Sequence, residues 1–183
     1  MALLQSQDIR PQFSAADFCL KGIDDKTYCL KDFSQAEGLL VAFICNHCPY
    51  VRAIEDRLIG LASYMQKNNG IMIGICSNDP KSYPEDSKEN LKKRAQEKNY
   101  NFPYLIDEDQ TVARAYKAVC TPDLYLFDKE RKLYYHGQLD DNWRDSHKVV
   151  REDLKDAFDA LLKGQPISAM QKPSMGCSIK WKS

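Results

Sequence analysis

Apolar residues recur along this chain in two rhythms, and their alternation is the first sign of architecture. Residues 39–45 (Leu-Leu-Val-Ala-Phe-Ile-Cys) and 71–76 (Ile-Met-Ile-Gly-Ile-Cys) are unbroken apolar runs of strand length. Between them Tyr50, Val51, Ile54, Leu58, Leu61, Ala62 and Met65 fall at three- and four-residue steps, which predicts a helix from Pro49 to about Lys67. Pro49 suits a first turn, where its missing N–H costs nothing, and Asn68-Asn69-Gly70 ends the helix. Strand, helix, strand, with both strands apolar throughout, is the βαβ unit of a parallel sheet.

Shorter patterns flank this unit. Residues 13–20 and 26–30 read as two short strands about a turn, and 31–38 as a polar link. After a turn-rich loop at 77–86, Ser87 caps a charged helix to about Asn99 with only Leu91 and Ala95 facing inward. A strand at 102–106 and a helix at 110–117 follow. Residues 123–128 and 132–139 form a hairpin whose second strand alternates as an edge strand does. A polar loop, 140–148, leads to a helix at 149–163 that buries Val150, Leu154, Ala157, Phe158, Leu161 and Leu162 and stops at Gly164. Residues 1–12 are expected to be an extended lead-in and 164–183 a tail without a period. The whole, 1–183, is expected to be one domain.

Lys plus Arg equals Asp plus Glu at 26 each, so no global field points to nucleic acid or an anionic membrane. The run at 39–45 is far too short to span a bilayer. The first residues lack a basic leader followed by an apolar core, so a signal peptide is not expected and a cytoplasmic location is the default. Seven cysteines, an odd number spread over a chain able to build a core, argue against a secreted disulfide framework.

Two of these cysteines carry the candidate chemistry. Cys45-Asn46-His47-Cys48-Pro49 joins the 39–45 strand to the helix. A helix N-terminus offers unpaired N–H groups and the positive end of the macrodipole, which favour thiolate over thiol, and thiolate is the nucleophile of disulfide exchange. Placement between strand and helix outweighs the alternative of two buried hydrophobes. Zinc is the rival: a single C-x-x-C supplies two of four ligands, and Cys120 with Cys177 would have to complete a four-thiolate site. Cys19, Cys29 and Cys76 lie in predicted strands and are assigned to the core. Arg52 and Asp56, at i and i+4, read as a solvated pair, and His136 and His147 receive no role.

The order of elements, with Cys45-Asn46-His47-Cys48-Pro49 after an apolar strand, Phe102-Pro103-Tyr104-Leu105-Ile106-Asp107 before Val112-Ala113-Arg114-Ala115-Tyr116, and Thr121-Pro122 opening a strand, resembles the thioredoxin-like fold in its redoxin form. Gly137-Gln138-Leu139-Asp140-Asp141 and the tail 173–181 are similar to a bacterial AhpC/TSA-like redoxin subfamily. The resemblance implies an α/β fold, a central mixed sheet flanked by helices, with an N-terminal β-hairpin and a redoxin-type insertion. It also implies a cis Thr121–Pro122 bond facing the C-x-x-C turn, where an extended substrate pairs with the backbone. Cys45, read as the more exposed sulfur, would attack, and Cys48, read as one turn into the helix, would resolve the mixed disulfide. His47 and Pro49 would support them, and Cys120 and Cys177 are possible additional redox thiols. The expected activity is thiol–disulfide exchange with a protein or small-molecule thiol or disulfide, fed by a thiol electron donor, with no cofactor and no metal.

Two other functions compete. A peroxiredoxin-like peroxidase would use Cys48 as its peroxidatic cysteine, but the P-x-x-x-T-x-x-C pattern finds Val41 and Cys45 where proline and threonine belong. A zinc-holding or interaction module would reuse the fold without catalysis.

Overall fold

The computed structural model describes residues 3–7, 13–166 and 171–182. Its strands are β1 Leu3–Gln5, β2 Cys19–Gly22, β3 Thr27–Cys29, β4 Gly38–Phe43, β5 Gly70–Cys76, β6 Tyr104–Ile106, β7 Cys120–Thr121, β8 Asp123–Phe127, β9 Leu133–His136 and β10 Met175–Ser178. Its helices are α1 Pro49–Lys67, α2 Lys88–Lys98, α3 Thr111–Tyr116 and α4 Asp153–Leu162. Seven strands form one sheet in the order β3-β2-β6-β5-β4-β8-β9, and β1, β10 and β7 form a second, small one.

Strand β4 lies inside the large sheet, parallel to β5 and antiparallel to β8. Its residues face two apolar cores in turn. Leu40 and Ala42 join Leu58 of α1 and Phe158 of α4 on one face; Leu39, Val41 and Phe43 join Val112 and Tyr116 of α3 on the other. Burial on both faces explains why β4 and β5 read as continuous apolar runs instead of alternating ones. Gly38 and Gly70 are register partners in β4 and β5, and the Phe158 ring lies over both. A Cβ would meet that ring at 2.8 Å from position 38 and 2.5 Å from position 70, so the glycines form the floor on which α4 packs.

The mixed sheet with helices on both faces confirms the thioredoxin-like fold and the N-terminal hairpin. Several boundaries differ from expectation. Strand β4 ends at Phe43, and Cys45 already belongs to the turn. The expected strand at 13–20 contracts to β2; before it, Ser14 makes only an isolated bridge with Lys132. Helix α4 begins at Asp153, because the Asp141 carboxylate takes the Val150 N–H (2.9 Å) and holds that segment extended, leaving Val150 86% exposed. Strand β9 is an edge but does not alternate: all four of its residues are buried, and Gln171 Oε1 accepts the His136 N–H at 2.8 Å. The lead-in and the tail pair with each other, β1 and β10 being antiparallel neighbours. The rest of those two stretches, at 8–12 and 167–170, lies outside the described residues.

Candidate active site

Residues 44–48 turn between the inner strand β4 and helix α1, and one carboxylate organises the turn. Asp86 Oδ1 accepts the N–H groups of Asn46 (2.7 Å) and His47 (3.2 Å). The Asn46 side-chain amide donates to the carbonyls of Glu85 and Asn90, both at 3.0 Å, and Arg52 Nε donates to the Asn46 carbonyl at 2.6 Å. Arg52 is therefore a brace for the turn, not half of a solvated pair; Asp56 pairs with Lys98 instead, at 3.0 Å.

The two sulfurs are in different surroundings. Cys48 is the N-cap of α1, with Pro49 in the first turn, so it sits at the positive end of a 19-residue helix rather than one turn inside it. Its thiol is held down to about 5, chiefly by a hydrogen bond from Cys45, against the opposing effect of burial; the Val51 N–H and Cys177 add to the lowering. Cys45 is pushed well above the ordinary thiol range by burial, by its bond to Cys48 and by the Asp86 charge. Neither sulfur is the exposed one, with Cys45 2% and Cys48 0% accessible. Thr121 touches both: its hydroxyl lies 3.2 Å from Cys45 Sγ, and its carbonyl oxygen lies 3.0 Å from Cys48 Sγ, placed to accept from that thiol when it carries its proton.

His47 lies beside Cys45, its Nδ1 3.6 Å from the sulfur and 2.6 Å from Asp86 Oδ2. The short contact with a carboxylate oxygen places a proton on Nδ1. Asn78 Nδ2 donates to the same Asp86 oxygen at 2.8 Å, and the Tyr83 ring centroid is 4.6 Å from the imidazole. Burial alone would raise Asp86, but hydrogen bonds from His47, Asn78 and the Asn46 N–H outweigh it and hold the carboxyl below its ordinary range. Among the described residues, Cys45, His47 and Asp86 form the one group with metal-binding potential, their ligand atoms all within 4.8 Å of one another. That is a three-ligand set, distinct from the four-thiolate site that Cys120 and Cys177 would have completed.

The Thr121–Pro122 bond is cis, and it faces the cysteines through the Thr121 contacts. Directly after it, Asp123 is fully buried; its Oδ1 lies 2.7 Å from His136 Nε2 and its Oδ2 accepts from Tyr125 Oη at 2.9 Å. Burial raises the Asp123 carboxyl despite the His136 bond. Strand β10 lies across this loop, pairing Cys177 with Thr121 and Ser178 with Cys120. A small groove of about 60 Å³ runs beside the same loop between Tyr50, Pro122, Trp143 and Met175. A larger cavity, about 680 Å³, lies elsewhere, between Tyr134, Arg151 and Asp153, and no cysteine among the described residues lines it.

Residues 11–136 match the model of the AhpC/TSA family. The chain belongs to the AhpC/TSA family. No curated protein matches it. Among solved structures it is similar to an uncharacterized conserved protein from Geobacillus kaustophilus, at 44% identity and TM-score 0.94 over 100% of this chain and 97% of that one. It is equally similar to a hypothetical protein from Sinorhizobium meliloti, at 42% identity and TM-score 0.94 over 98% of each chain. The thioredoxin domain of a thiol-disulfide oxidoreductase from Bacteroides vulgatus shares the fold, at 16% identity and TM-score 0.66 over 85% of this chain and 99% of that one.

The structure brings every sequence-predicted site residue of this AhpC/TSA-family chain to one place: Cys45, His47, Cys48, Pro49, Thr121, Pro122 and, through β10, Cys177. Cys120 is also buried there, its Sγ 3.8 Å from the Pro122 carbonyl, and burial pushes its thiol far up. Cys76 is a core residue as expected, 2% accessible. Cys19 and Cys29 are not: they are register partners in the β2–β3 hairpin and form a disulfide. Sequence reading missed Asp86, Asn78, Asp123 and His136. His136, which receives no role from the sequence, is buried and stacks on Tyr125 with ring centroids 4.1 Å apart. Only Asp123 carried a local signal, since it immediately follows Thr121-Pro122.

Proposed function

We propose that this protein is a thiol–disulfide oxidoreductase that cycles Cys45 and Cys48 between dithiol and disulfide. The observation that carries this is geometric: two buried cysteines three residues apart where β4 turns into α1, Cys48 at the helix N-cap, both in contact with Thr121 of the cis Thr121–Pro122 bond. With the Cys48 thiol held down at the N-cap and the Cys45 thiol pushed up, the attacking role goes to Cys48 and the resolving role to Cys45, the reverse of the expected order. Cys48 thiolate attacks a substrate disulfide, forming a mixed disulfide and releasing one substrate thiolate. Cys45 then attacks Cys48 Sγ, its proton passing to the departing second substrate thiolate. As charge develops on Cys45, the Thr121 hydroxyl, 3.2 Å from its sulfur, can donate to it, while the Nδ1–H of His47 stays on Asp86 and holds the ring alongside, Nδ1 3.6 Å from the sulfur. The pair has given two electrons to the substrate, and a thiol donor restores them.

The Tyr50–Trp143 groove beside Pro122, with its rings 4.2 Å apart, suits an apolar side chain next to the substrate's cysteine. A cytoplasmic setting, reducing enough to return the pair to dithiol, is part of the proposal. There the Cys19–Cys29 disulfide would be open to glutathione, and its state in cells quenched with an alkylating agent tests the compartment. No helix among the described residues is long and apolar enough to cross a membrane.

The deciding experiment is reduction of a protein disulfide by wild type, Cys45→Ser and Cys48→Ser. Cys48→Ser should abolish turnover; Cys45→Ser should stall as a trapped mixed disulfide on Cys48. Full activity in Cys48→Ser would sink the assignment. A second function, peroxide reduction by Cys48, is favoured by the same N-cap thiolate, while Val41 and Cys45 in place of the motif's proline and threonine weigh against it. Thiol-dependent peroxide consumption lost in Cys48→Ser alone would establish it.

A further inference from the structure

Strand β10 occupies the position that an extended substrate would need. The Cys45–Cys48 pair reads an incoming disulfide beside the cis Thr121–Pro122 bond, where backbone pairing would align the substrate. In the structure that edge is taken: Cys177 is the antiparallel register partner of Thr121, and the preceding residue, Gly176, packs so closely that a Cβ there would fall 1.9 Å from the Thr121 carbonyl oxygen. The strand is built in. The Ile179 N–H bonds the Val119 carbonyl at 2.9 Å, the Lys180 N–H bonds Asn78 Oδ1 at 2.8 Å, and Ser6 N–H bonds the Ser174 carbonyl at 2.9 Å. Its one cysteine hydrogen-bonds Cys48, and the burial of the cluster leaves Cys177 only 3% accessible.

We propose that Met175–Ser178 is the redox pair's substrate in cis and that Cys177 is a third exchanging thiol. This rests on Cys45 and Cys48 forming the redox pair. Once the Cys45–Cys48 disulfide has formed, Cys177 Sγ attacks Cys48 Sγ. The Cys45–Cys48 bond breaks, a Cys48–Cys177 bond forms, and the proton leaving Cys177 goes to Cys45, whose surroundings hold a proton strongly. No electron enters or leaves the protein in this step. The consequence is a cover that becomes covalent on oxidation: the Cys48–Cys177 form ties β10 across the Thr121–Pro122 edge, and reduction returns β10 to the hydrogen-bonded cover seen with the three thiols free, which an external disulfide has to displace.

The test uses the full chain, oxidised in graded glutathione buffers, acid-quenched, alkylated and mapped for disulfides by mass spectrometry. Wild type should contain both Cys45–Cys48 and Cys48–Cys177. Cys45→Ser should contain Cys48–Cys177 as its main disulfide at this site, and Cys177→Ser only Cys45–Cys48. Gly176→Val, which crowds the Thr121 carbonyl, should lower the Cys48–Cys177 fraction about tenfold while Cys45–Cys48 still forms. Cys45–Cys48 in wild type together with only a Cys48–glutathione adduct in Cys45→Ser would overturn the internal-substrate role and leave the redox pair intact. A Cys120–Cys177 disulfide in place of Cys48–Cys177 would overturn it too. Absence of both Cys45–Cys48 and Cys48–Cys177 from wild type would instead refute the pair on which the proposal stands.

Discussion

Removing the Cys45 thiol should move the Cys48 titration by a calculable amount. With its thiol held near 5, Cys48 at pH 7 is about 99% thiolate, against about 3% for an ordinary cysteine titrating near 8.5. The largest contribution is the hydrogen bond from Cys45. A hydrogen bond to a charged acceptor contributes about 1.5–3 kcal/mol, and at about 1.4 kcal/mol per unit its loss corresponds to about one to two pH units. Cys45→Ala should therefore titrate at about 6–7, because the helix N-terminus and Cys177 still act on the sulfur. Cys45→Ser keeps a donor and should move less. Ultraviolet thiolate absorbance of the reduced protein against pH is the suitable assay, since it needs no reagent to reach a buried sulfur, and Cys48→Ser supplies the blank. A low-pH step that survives Cys48→Ser and disappears in Cys45→Ser would refute the assignment and return the nucleophile's role to Cys45.

The same asymmetry has a stability consequence. A group whose folded-state titration lies below its unfolded one stabilises the fold above the unfolded value and loses that contribution as pH falls through the folded one. Between about pH 8.5 and pH 5 the stability difference between wild type and Cys48→Ser should shrink by up to about 1.4 kcal/mol per unit, readable by urea denaturation of the reduced proteins. Asp86→Asn removes the charge that helps hold the Cys45 proton and the partner of a buried imidazole; Cys45 should titrate lower and the fold lose about 1–3 kcal/mol, and an unchanged Cys45 titration would contradict the charge effect. Arg94→Ala removes the two-bonded partner of Glu55, which is 3% accessible and held by Arg94 at 2.6 and 2.9 Å, and leaves it the Tyr100 hydroxyl at 2.8 Å and Lys98 at 3.6 Å. Because Arg94 is itself partly exposed, the expected cost is about 1–3 kcal/mol, below that of a fully buried pair, and Glu55→Gln in the same background should restore part of it. Phe158→Ala should cost about 3–5 kcal/mol by denaturant melting.

What the sequence revealed follows from how local each signal is. Helix α1 was readable to the residue because its period, its N1 proline and its stop signal all lie within 22 positions. Helix α2 was readable for the same reason: the Ser87 hydroxyl caps it by accepting the Asn90 N–H. Pairing between β1 and β10 joins residues 170 to 174 positions apart and has no period of its own, so the strand partner of the tail was invisible. Asp86 was missed because its partners, Asn46 and His47, lie 40 and 39 positions away. The Cys19–Cys29 disulfide was legible in principle. In a hairpin turning about Asp24 the register places 19 opposite 29, just as it places 20 opposite 28 and 21 opposite 27. Treating those cysteines by residue type rather than by register assigned them to the core.

The glycine floor beneath Phe158 makes three positions in distant parts of the chain interchangeable only as a set. Volume added at 38 or 70 has nowhere to go while a phenylalanine occupies 158, since the ring already stands where the new carbon would be. Across relatives that keep this layer, a larger residue in either strand should therefore travel with a smaller one in the C-terminal helix. Gly70→Ala combined with Phe158→Leu should accordingly be milder than the sum of the two single changes, a coupling that a double-mutant cycle would measure directly.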